Sequence, residues 1–90
     1  MRPPAELINA LVTYIDGAGL PKGIATSLLA KLASAQAALS AGNVASAVQA
    51  ITDLVNEARA QDGKQIGSAQ AAEIIREAQT TNDVIGVLYD

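Results

Sequence analysis

The stretch AQDGKQIGSAQAAEIIREA, Ala60 to Ala78, admits two readings with opposite consequences. Gly63, Lys64, Gly67 and Ser68 stand together, and an apolar helical pattern follows, so the segment resembles a phosphate-binding loop. Such a loop needs glycines about five residues apart, Lys directly after the second, then Ser or Thr, all following a buried strand. Here Lys64 follows the first glycine, Ser68 lies further on, and no strand pattern precedes them. A plainer account uses every residue: Gly63 ends one helix, Ile66 packs under the turn, and Ser68 caps the next. The stretch reads as a joint between helices.

The same punctuation recurs outward from that joint. Pro4 suits a first helical turn and Glu6 suits its positive dipole end, while Leu7, Ile8, Leu11, Val12 and Ile15 form an apolar face. Gly17 is expected to end this helix in a left-handed cap. Pro21 opens a second pattern, with Ile24, Leu28, Leu32, Ala35 and Leu39 on one face, closed by Gly42. Asn43 then caps a third helix whose seam is Val44, Val48, Ile51, Val55 and Ala58. A fourth follows Ser68, with Ala71, Ile74, Ala78, Ile85 and Leu88 on one face, widened by Ile75 and Val84. The expected helices span about 4–16, 21–41, 44–62 and 69–88. Short connections make neighbours antiparallel, so the fold class is all-α, a small up-down four-helix bundle in one domain of residues 1–90. In TTNDVIG, Thr80 to Gly86, β-branched residues, Asn82 and Gly86 lower helix propensity, and a kink or break is expected near residues 80–83.

Composition narrows the chemistry. The 90 residues contain no His and no Cys, which removes the commonest general base and metal ligand and any disulfide. Tyr14 and Tyr89 are the only aromatic residues, so the core is aliphatic. Residues 1–45 carry three basic and two acidic side chains, residues 46–90 three and seven. Nucleic-acid binding calls for a basic stripe with stacking platforms, and the sequence has neither, so no nucleic-acid partner is expected. No apolar run reaches the ~20 residues of a membrane span, and no membrane insertion is expected. MRPPAEL lacks the charged start leading into an apolar stretch that marks a secretory leader.

Each remaining constellation has a simpler explanation. Asp16 in DGAG lacks the alternating acidic companions of a calcium loop. Glu73 and Glu77 lie one turn apart like carboxylates of a di-iron bundle, but the Glu-x-x-His element is absent. They, Arg76, Asp53 and Glu57 read as solvated helical faces with ordinary ion pairs. Ser27 and Lys31 also stand one turn apart, yet nothing marks the desolvated lysine or oxyanion hole that a Ser–Lys dyad requires. The expected catalytic, metal and cofactor sets are therefore empty.

The runs LPKGIATSLLAKLASAQAAL, GNVASAVQAITDLVNEARAQDGKQI and AQAAEIIREAQ together resemble the FIMAH-type helical domain. The likeness is carried by Ser27, Leu28, Leu29, Lys31, Leu32 and Ala35 in the second helix. Gly42 and Asn43 at the turn, Ala47, Ile51 and Val55 in the third helix, and Gly63, Lys64 and Ile66 after it complete the match. It covers about Leu7 to Ala78, and Leu54 stands where that family usually has Phe. The resemblance implies a small non-catalytic module, appended to larger secreted or cell-surface proteins of bacteria and archaea, with a spacer or interaction role. It implies an extracellular or cell-surface location and a protein or domain of the same parent as partner.

Two other roles stay open. The chain is a homo-oligomerisation or adaptor bundle if the apolar C-terminal residues Val84, Val87, Leu88 and Tyr89 form a partner surface rather than core. Its regularity also fits an engineered or consensus helical scaffold. A carboxylate enzyme would need Asp53, Glu57, Glu73 and Glu77 gathered in a pocket, and their positions fall off the apolar seams.

Overall fold

Four helices follow one another in the computed structural model, which describes residues 3–89, the last by its backbone alone. They are α1 Pro4–Gly17, α2 Lys22–Ser40, α3 Val44–Gln61 and α4 Ser68–Tyr89. Among the described residues the only extended pairing is an isolated bridge between Asp62 and Ile66. Among the described residues each helix lies close against two others, in the ring α1–α2–α3–α4–α1. With short loops this is the up-down four-helix bundle expected from the periodicity. The bundle extends 35 × 20 × 20 Å.

Backbone chemistry at the joints explains why the chain turns where it does. At the α2 end, Gly42 takes φ +79, and its N–H donates to Leu39 O at 3.1 Å. Asn43 N–H reaches Ala38 O at 2.8 Å, which completes a Schellman closure. The same Asn43 opens α3, its Oδ1 accepting from Ser46 N–H at 3.2 Å. One residue thus stops one helix and starts the next, as GN in the sequence indicated.

Two expected caps sit elsewhere. Gly17 is the last residue of α1, and the left-handed residue is Gly19, at φ +70. Ser68 is the first residue of α4 rather than its cap. The cap position falls to Gly67, whose N–H donates to Gln70 Oε1 at 3.3 Å. This is the reaching-back half of a capping box, in which the third helical residue satisfies the cap N–H. Helix 4 also runs unbroken through Thr80–Asp83, where a kink or break was expected. Thr80 and Thr81 donate their hydroxyls to Arg76 O and Glu77 O, at 3.0 and 2.8 Å, and thereby stay satisfied within the helix. Burial of Val84 and Ile85 then outweighs the low propensity.

The core is aliphatic throughout. Ile8, Leu11 and Ile15 from α1 meet Leu28 and Leu32 from α2, Ile51 and Leu54 from α3, and Ile74 and Ile85 from α4. Fully burying one such side chain contributes about 1.5–3 kcal/mol. Ala35, Ala47, Ala58, Ala71 and Ala78 are fully enclosed, which lets the helix backbones approach closely. The α3 face is rotated from the expected seam. Ala47 and Leu54 are buried, whereas Val44 and Val48 are only partly so. A helix flanked by both α2 and α4 buries a broader face than one seam, and Leu54 belongs to that face.

Candidate functional site

The Ala60–Ala78 joint directs its backbone donors inward. Asp62 (φ −57, ψ 124) and Gly63 (φ +75) form the centre of a type II turn, closed by Lys64 N–H on Gln61 O at 2.8 Å. Ile66 N–H donates to the same carbonyl at 3.1 Å, and Gly63 N–H donates to Ile66 O at 2.9 Å. Gly67 N–H is held by Gln70. A phosphate cradle depends on such amides pointing outward together, and here four of them are engaged inside the loop. Ile66 is fully buried beneath the turn.

The closest gathering of reactive side chains lies between α2 and α3. Ser27 Oγ–H donates to Glu57 Oε1 at 2.9 Å, and Lys31 Nζ donates to Ser27 Oγ at 3.1 Å. Lys31 Nζ and Glu57 Oε1 stand 2.9 Å apart, with 30% and 20% of their side chains exposed. The Ser–Lys pair noted in the sequence is therefore joined by an acidic residue from the next helix. Glu57 was expected on a solvated face. Instead α3 turns it toward α2, where the long Lys31 side chain reaches it. Chemically the triangle is closed: the ammonium is held by a carboxylate, and the hydroxyl donates to that same carboxylate. A Ser–Lys dyad needs the reverse, a lysine free to take the serine proton.

The other carboxylates do not converge on it. Asp53 accepts from Gln49 Nε2 at 2.9 Å on the exposed face of α3. Arg76 donates to both Glu73 oxygens, at 2.8 and 2.7 Å, and lies 3.2 Å from Glu77 Oε1. The hydrogen bond with Glu73, then the charges of Glu73 and Glu77, hold the Arg76 guanidinium above its ordinary pKa. Among the described residues no group of three His, Cys, Asp or Glu side chains is placed to hold a metal ion. No pocket forms among them either. No helix among them is long and apolar enough to cross a membrane.

The C-terminal apolar residues divide. Val84 is buried, at 8% exposure, whereas Val87 and Leu88 are exposed at 71% and 49%. The Tyr89 side chain lies outside the described residues. Among the described side chains, the apolar surface at this end includes Val87 and Leu88 but not Val84. Tyr14 is 36% exposed near the opposite end of the bundle.

Three polar contacts between elements had no part in the expected site. Gln70 Nε2 donates to Ala18 O at 2.7 Å, Asn9 Oδ1 accepts from Gln36 Nε2, and Asn82 Nδ2 donates to Thr52 Oγ1 at 3.4 Å. Only Gln70 carried a local signal, since it stands three residues beyond the Gly67 cap. Compared with known proteins, the chain matches no family model, no curated protein and no solved structure.

Proposed function

We propose that this chain is a non-catalytic accessory module, an interaction or spacer domain of a larger secreted or cell-surface protein. The observation that carries the reading is the closed triangle of Ser27, Lys31 and Glu57, in which the best-placed reactive groups serve to clip α2 to α3. The antiparallel ring supports it as well. An even number of helices puts the start of α1 and the end of α4 at one end of the bundle, so flanking chain on either side would attach there. Location and parentage follow from the FIMAH-type likeness of the quoted residues.

A second reading, a homo-oligomerisation bundle, is favoured by the exposure of Val87 and Leu88. Light scattering after size exclusion, over a hundredfold concentration range, separates the two. The accessory-module reading expects a concentration-independent mass near 9.1 kDa. A stable dimer that Leu88→Glu dissolves would replace it with the oligomerisation reading.

A further inference from the structure

We propose that the last turns of α4, from Thr81 onward, act as a strap that opens as a unit while the rest of the bundle stays folded. Four observations converge on this segment. Thr81 is the one fully buried polar residue among those described, in a core otherwise made of aliphatic side chains. Its hydroxyl is satisfied by Glu77 O within α4, so it adds no bond to a neighbouring helix. Beside it, Asn82 Oδ1 is buried with no protein donor in reach. The one cross-helix bond from Asn82, to Thr52 Oγ1, is long at 3.4 Å. A buried acceptor without a partner favours states in which water reaches it.

Helix lengths point the same way. At about 1.5 Å per residue, the 22 residues of α4 span about 33 Å and the 14 of α1 about 21 Å. The Gln70–Ala18 bond aligns these two helices near the start of α4, so the excess of α4 over α1 falls at its other end. There Val87 and Leu88 are exposed, and among the described side chains of the strap only Thr81, Val84 and Ile85 are buried. Thr80, Thr81, Asn82, Asp83 and Gly86 are all poor helix formers, which weakens the segment independently of its packing. Sub-global opening is drawn from regions with few buried apolar contacts and weak local structure, and this segment has both. Opening hydrates Asn82 and bares Val84 and Ile85, together with the core surface they cover.

Native-state hydrogen exchange of the whole chain, read residue by residue over a series of low denaturant concentrations, tests the strap. The expected result is a shared protection level across residues 83–88, at least about tenfold below that of Ile51 and Leu54, with its own denaturant dependence. Asn82→Leu should narrow that gap severalfold, because it removes the unpaired acceptor. Equal protection in the strap and α3 would overturn the proposal. So would a smooth loss of protection toward Tyr89 without denaturant dependence, which is end fraying. The wild-type profile decides the matter even if the variant does not fold.

Discussion

The side-chain amide of Gln70 donates to the carbonyl of Ala18, at 2.7 Å and 52 residues away in sequence. Its other end accepts from Gly67 N–H at 3.3 Å. One side chain therefore caps α4 and ties the α3–α4 joint to the α1–α2 joint. Replacing Gln70 with Ala removes both bonds and should destabilise the protein by about 1–2 kcal/mol, measured by denaturant unfolding. Ser68→Ala should stay within about 0.5 kcal/mol, because Ser68 is exposed and is not the cap. The opposite ranking would return the capping role to Ser68.

Glycine substitutions should separate the helical glycine from the left-handed ones. Gly17 is helical, and a methyl group there meets nothing within 4 Å, so Gly17→Ala should stabilise by about 0.5–1 kcal/mol. Gly42 and Gly63 hold φ +79 and +75, and Ala at either should destabilise by about 1–2 kcal/mol. Melting temperatures of the three variants check the sign, and a loss of stability at Gly17 would refute the assignment of its conformation.

Core truncation has a steeper effect. Leu32 and Ile51 are fully buried on facing helices, and Leu32→Ala or Ile51→Ala should each cost about 2–5 kcal/mol in equilibrium unfolding. Arg76→Ala should change stability by less than about 0.5 kcal/mol, since its guanidinium is exposed and both its partners lie on its own helix.

What the sequence disclosed depended on the range of the interaction. GN at 42–43 and DG at 62–63 act within a few residues, so their turns could be read directly. The apolar period located all four helices, because one buried stripe per helix is a local property. The rotation of α3 was not local. Leu54 and Ala47 became buried once α2 and α4 both packed on that helix, and the same rotation brought Glu57 to Lys31. Periodicity names a face but not the neighbour opposite it, so no spacing rule could pair residues 30 positions apart such as Ser27 and Glu57. Thr80–Asp83 failed as a break signal for a related reason, since burial of Ile85 beyond it keeps the helix going.

The reactive-looking side chains of Ser27, Lys31 and Glu57 hold α2 to α3, and a double-mutant cycle on Lys31→Met and Glu57→Gln tests this most directly. Gln at 57 still accepts from Ser27, so the cycle isolates the ion pair between α2 and α3. The expected coupling is about 0.5–1 kcal/mol in unfolding free energy, shrinking as salt is raised. Strict additivity of the two changes, with wild-type stability in both single variants, would contradict a structural clip and reopen the triangle as a site of chemistry.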